Sequence, residues 1–193
     1  MPTAFDPTAV SSLAQEIAQH VGPLQHVAPT HLHLWLPALT VPSAWAIADA
    51  DAPAVTRLLL RRVNSTNHWD SCEVLNLYRV PGTVREALVL RNADRILRDS
   101  QATEISAHPV DVPSQYAIVA TRASGRLTTG NRQVLSHFNN YVVNSIAGGA
   151  LIEQAVVVGA DAQSALAAEC AALTENLYRS LLASIDRPHD PRL

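Results

Sequence analysis

His31 and His33 are the closest pair of side chains in the chain that could do chemistry together. On an extended strand, residues two apart project to one face, where two imidazoles can share a Zn²⁺. A third ligand would have to come from His20, His26, His68 or an acidic side chain. No second motif at ligand spacing accompanies the pair, and real sites take three or four ligands, so a plain strand face beside Trp35 is the simpler expectation.

Nucleophilic chemistry has less support. The chain has no G-x-S-x-G elbow, and Ala147-Gly148-Gly149-Ala150 lacks the Lys and Ser/Thr of a phosphate-binding loop. Cys72 and Cys170 have no sequence neighbour that would activate a thiolate, and two such distant cysteines make neither a CxxC site nor a disulfide framework. Buried free thiols are expected. Asn64-Ser65-Thr66 matches the glycosylation acceptor pattern, but a short loop match of this kind also arises by chance.

Binding side chains are easier to nominate. Trp69 sits in a loop-like stretch, Asn64 to Ser71, rich in Asn, Ser and Thr, and reads as exposed. Arg122, Arg126 and Arg132 lie around expected turns at Ser124-Gly125 and Gly130-Asn131, and could form a positive rim for an anionic ligand or an acidic partner, although charge that solubilises hairpin ends is the simpler expectation. Along 132–144, alternation puts His137, Asn139 and Tyr141 on one face with Gln133, Leu135 and Val143. That face could line a groove, although a solvated face is ordinary in an antiparallel sheet and is the expectation. Trp69, Arg126, Arg132, His137, Asn139 and Tyr141 are therefore the candidate binding residues, with His31 and His33 the alternative metal pair.

These side chains need elements to hold them. Asp6-Pro7 can cap and start a helix whose Val10, Leu13, Ile17 and Val21 share a stripe, with Gly22-Pro23 as its end. Alternation predicts strands over 31–36 and 72–80, a short strand over 45–48 follows the turn at Val41-Pro42, and 54–63 is expected as an apolar strand. Thr83-Val-Arg-Glu86 matches a capping box and predicts a helix running to about Asp99. After a weak strand over 105–112, three runs, 115–122, 132–144 and 151–159, are separated by Gly-containing turns. A last helix, about 161–185 and capped by Asp161, carries Leu166, Cys170, Leu173, Leu177 and Leu181 as one stripe. Strands in runs with few crossovers favour an α+β fold with an antiparallel sheet.

Composition agrees. The 193 residues are 48% hydrophobic and 16% charged, a globular balance that one domain of 1–193 can bury, with its core at about 6–185 and a frayed tail from 187. A net charge of −3 gives no basic face for nucleic acid. No apolar run approaches the roughly 20 residues that cross a bilayer. The N-terminus lacks the charged and apolar regions of a secretory signal, so a cytoplasmic location is expected unless an export segment was removed.

A resemblance adds to this reading. Val41-Pro-Ser-Ala-Trp45, Leu75-Asn-Leu-Tyr-Arg-Val-Pro-Gly82, Glu86-Ala87-Leu88 with Asn92-Ala93, the hairpins from Tyr116 onward and the closing helix follow in a particular order. In that order and spacing, the chain from about Val10 to Ile185 resembles the actinobacterial LpqN lipoprotein family and the wider PsbP-like α/β/α sandwich. The resemblance implies a central antiparallel sheet flanked by helices on both faces. It also implies a non-enzymatic scaffold that binds a protein or small ligand, with no cofactor and no catalytic residues to carry over. The chain departs from those lipoproteins in having no lipidated N-terminal Cys, so a membrane anchor is not carried over. Self-association through an edge strand or the apolar 34–36 region is a further expectation.

Overall fold

Alternation governs the central strand. In β4 (Trp69–Val80) Glu73, Leu75 and Leu77 are fully buried, while Val74, Asn76 and Tyr78 between them face the other way and are half-buried. Such a strand has a covered face on each side, one deeper than the other. The computed structural model describes residues 12–48, 55–62, 69–145 and 148–186, and its centre is an eight-stranded antiparallel sheet.

Two meanders make up the sheet. The first is β2 (Trp45–Ala48), β3 (Arg57–Arg62) and β4; the second is β5 (Thr103–Pro109), β6 (Ile118–Thr129), β7 (Arg132–Val143) and β8 (Gly149–Gly159). They join where β8 pairs with β4, from Ser71↔Val158 to Val80↔Gly149. A short β1 (Gln25–His26) continues along β4 beyond the end of β3. At that junction the buried Thr56 hydroxyl donates to the Val27 carbonyl and accepts from Leu77 N–H, each within 3.1 Å. Its single proton is thereby used, so His26 Nε2, 3.0 Å away, is the protonated nitrogen.

Helices cover both faces. On one, α1 (Leu13–Val21) and α3 (Glu86–Arg91) bury Leu13, Ile17, Leu88 and Val89 against Val142 and Leu151. A Ser12–Gln15 capping box starts α1, three residues apart as the motif requires. The expected start at Asp6-Pro7 lies outside the described residues. On the other face, α5 (Gln163–Ile185) lays Leu166, Cys170, Leu173, Leu177 and Leu181 across the sheet, the stripe read from its sequence. The helix begins after Ala162 with no side-chain cap, so Asp161 does not cap it.

Four local expectations are corrected. Residues 31–36 are not a strand: a 3₁₀ turn (Pro29–His31) leads into α2 (Leu32–Trp35). Pro29 presets the turn, and Leu32, Trp35 and Leu36 reach the core at helical spacing while Leu34 stays exposed. Thr83 forms no capping box, because the helix starts two residues later at Glu86 with Arg85 as its cap. That helix also stops at Arg91 and resumes as α4 (Arg95–Asp99). Finally, Ser124-Gly125 is no turn but mid-strand in β6. A Cβ on Gly125 would lie 3.2 Å from Leu97 Cδ2 and 3.2 Å from Ala102 Cβ, so the glycine lets α4 sit close to the sheet. The Gly130 turn is present, with φ at +63° between β6 and β7.

Candidate functional site

Register brings together polar residues that are far apart in sequence. Arg57, Leu75, Gln154, Asn139 and Arg122 lie opposite one another on β3, β4, β8, β7 and β6, and form one row beneath α5. Glu73 stands one step along β4 on the same face. Buried polar side chains at these positions must find partners, and they find one another.

The resulting chain of contacts is continuous. Arg57 Nη2 is 2.7 Å from Glu73 Oε2 and 3.0 Å from Oε1, with both side chains buried. Gln154 Nε2 donates to Glu73 Oε1 at 2.6 Å. Asn139 Nδ2 donates to Gln154 Oε1 at 3.0 Å and to Thr174 Oγ1 on α5 at 3.3 Å. Arg122 Nε donates to Asn139 Oδ1 at 2.9 Å. Burial pushes the Glu73 carboxyl up, against the charge of Arg57 that holds it down.

Arg122 ends this chain at an open cleft. The space, about 510 Å³, lies between α5 and strands β6–β8. Its floor carries Arg122, His137 and Asn139; its walls are largely apolar, with Leu135, Val156 and Val158 on the sheet and Ala167 and Ala171 on the helix. Burial, with the Arg122 charge behind it, pushes the His137 imidazole down, so it is neutral at pH 7. The Tyr141 phenol beside them is pushed up to about 12 by burial and stacks on Tyr178 at 6.0 Å.

A second polar cluster fastens the helix that roofs the cleft. Arg61 donates through Nε and Nη2 to Glu169 on α5 at 2.8 and 3.0 Å, and through Nη1 to Asp70 at 2.8 Å. Trp45 Nε1 donates to the same Glu169 at 3.1 Å. This bidentate geometry fixes α5 over β2–β4 and leaves the gap beyond it, over β6–β8.

The nominated residues fall in three places. His137 and Asn139 line the cleft, and Tyr141 lies fully buried on the same face. The expectation that this strand face meets solvent is therefore corrected for Asn139 and Tyr141, which lie buried under α5, while Leu135 and His137 open on the cleft and Gln133 is exposed. Trp69 and Arg132 meet at another end of the sheet, the guanidinium 6.0 Å from the exposed indole. Arg126 instead pairs with Glu104 at 2.7 Å, beside a separate polar depression that also includes Gln101 and Thr128. Arg126 and Arg132 thus do not form a free positive rim. His31 and His33 are both exposed on the 3₁₀ turn and α2, and their shared strand face does not exist. Among the described residues no group of three or more His, Cys, Asp or Glu is placed to hold a metal ion. Asn64 lies outside the described residues.

No family model matches the chain, and no curated protein sequence does either. Among solved structures it is similar to LpqN of Mycobacterium tuberculosis, described as involved in cell envelope biogenesis, at 15% identity and a TM-score of 0.56. That likeness covers 71% of this chain and 79% of LpqN. The likeness is one of fold. A cyanobacterial PsbP from Synechocystis also aligns, over 79% of this chain and 90% of its own, at 14% identity and a TM-score of 0.46. The antiparallel α+β architecture expected from the sequence resemblance is present. At this identity none of the cleft residues carries a role over from LpqN, so the site rests on its own geometry.

Arg57, Glu73 and Gln154 are not among the candidates read from sequence, although each stands beside leucine, isoleucine or valine on its own strand face. The sequence signals are Glu73 two residues before Leu75-x-Leu77 and Gln154 between Ile152 and Val156.

Proposed function

We propose that this protein is a non-enzymatic binding protein whose ligand sits in the cleft between α5 and β6–β8. The observation that carries the reading is the combination of apolar walls with a floor whose polar groups are held in place from behind, by the chain from Glu73 to Arg122. Small-molecule sites have this construction: roughly 300–1,000 Å³, mostly apolar, with a few fixed polar groups. The chemistry of the cleft favours holding over reacting. Burial pushes the Cys170 thiol up, opposite to what a nucleophile needs.

A cleft-filling variant tests this. The neutral fluorophore N-phenyl-1-naphthylamine brightens in apolar sites and serves as the probe. It brightens with the native chain and not with Ala171→Trp, whose melting temperature is unchanged because Ala171 is exposed on the helix. Equal brightening with both proteins, or none with either, overturns the reading.

A second reading concerns a partner protein. Trp69 is 40% exposed under the Arg132 guanidinium, and aromatic and Arg side chains are the usual anchors of protein interfaces. Trp69→Ala then weakens capture of a purified partner without lowering the melting temperature; unchanged capture removes it.

A further inference from the structure

Arg122 is unlike the other cations under α5. Arg57 and Arg61 each meet a carboxylate, Glu73 and Glu169. Arg122 is half-buried, yet it belongs to none of the ion pairs among the described residues; its Nε is held by the neutral Asn139 amide. The acid among the residues lining the cleft is Glu175 on α5, which is engaged with Arg179 at 2.6 Å. A partly desolvated guanidinium without a counter-charge is costly, and an incoming anion removes that cost.

The surroundings define the rest of the ligand. With Nε bound to Asn139 and the guanidinium also in hydrogen-bond contact with the Tyr141 phenol, the remaining N–H groups of the fork are left to receive an anionic group, as carboxylates and phosphates present one. Next to it the neutral imidazole of His137 supplies one more donor. Away from these two, Leu135, Val156, Val158, Ala167 and Ala171 give an apolar stretch, and the polar Gln163 and Thr174 and the Arg179-paired Glu175 line the helix side of the cleft.

We infer that the cleft takes a small amphiphile with one anionic head, the head on Arg122 and the apolar body along Leu135, Val156 and Val158 beneath α5. This rests on the cleft reading above and adds the charge and shape of the ligand.

Calorimetric titrations with decanoate, decyl phosphate and decanol separate the two claims. They share a chain and differ in the head. Decanoate or decyl phosphate binds the native protein at least tenfold more tightly than decanol, and the tighter of the two identifies the head. Arg122→Gln, which can still reach Asn139, removes that preference, while Arg122→Lys keeps part of it; one charge-assisted contact is worth roughly a tenfold change or more. Ala171→Trp abolishes binding of all three. A second readout is the His137 imidazole, followed by NMR. Arg122 from β6, and Cys170 and Glu175 from α5, are the titratable or charged groups that share the cleft with it. A bound anion raises the His137 titration midpoint, and decanol leaves it in place. Equal binding of all three ligands, sensitive to Ala171→Trp but not to Arg122→Gln, overturns the anionic head and leaves the cleft. Binding of none, or binding indifferent to Ala171→Trp, overturns both.

Discussion

Arg122 Nε donates to Asn139 Oδ1 at 2.9 Å across β6 and β7, so the cation on the cleft floor is aimed by an amide that is itself buried. Asn139 also bonds Gln154 and Thr174, and so links the sheet row to α5. One side chain thereby sets the direction of the charge and the seat of the roof.

Asn139→Leu is expected to cost about 2–3 kcal/mol in urea denaturation, because it leaves buried partners unsatisfied while adding no cavity. Asn139→Asp is expected to lose less, since its carboxylate still accepts from Arg122. A loss below about 0.5 kcal/mol for Asn139→Leu would show that Arg122 and Gln154 find other partners.

The Arg57–Glu73 pair gives a sharper test of the buried row. Glu73→Leu strands a guanidinium that is 5% exposed and is expected to cost about 3–5 kcal/mol, whereas the double variant Arg57→Met/Glu73→Leu recovers most of it. Equilibrium unfolding of the two singles and the double completes the cycle. Additive losses would mean that the two side chains do not interact.

The same row explains what could be read from sequence and what could not. The α5 stripe and the alternation of β4 are periodic, and each element shows its buried face within its own residues. Arg57, Glu73, Gln154, Asn139 and Arg122 come from five strands, and only the register makes them neighbours. Asn139 alone looked like a solvated strand residue because its cover, α5, lies more than twenty residues later. Residues 31–36 failed for the opposite reason. Six alternating residues fit a strand, but Leu32, Trp35 and Leu36 fit a helix face equally well, and packing with the core around Leu177 decided. Ser124-Gly125 has turn chemistry, yet its glycine answers to α4 packing against mid-strand β6.

Gly125→Val is accordingly expected to destabilise by about 1–3 kcal/mol through crowding of Leu97 and Ala102, without changing the cleft on the far side of the sheet. Gly125→Ala is expected to cost less. Thermal unfolding together with probe binding checks both halves: a stability loss with unaltered binding is the expected pair of results.

On the opposite face of the sheet, Glu153 ties stability to pH. Its carboxylate accepts from Ala14 N–H at 3.1 Å in the first turn of α1, and burial pushes it up to about 7 from an ordinary 4.5. A raised carboxylate favours the protonated form in the folded state, so the folded chain binds more protons than the unfolded one between those two values. Stability from this group is fully present below pH 4.5 and is lost as pH rises through about 7, by roughly 3 kcal/mol in all. His26 and His137 act in the reverse sense. Burial pushes both down, and neutral imidazoles are lost to protonation in the unfolded chain as pH falls below 6.5. The native profile is therefore a compound of opposing slopes, and the difference between native and Glu153→Gln isolates one of them. Glu153→Gln keeps an acceptor for Ala14 and is expected to match the native chain near pH 4.5 and to exceed its stability at pH 8. Urea denaturation at both values measures that difference, and a variant no more stable at pH 8 than at pH 4.5, relative to native, would place the titration elsewhere.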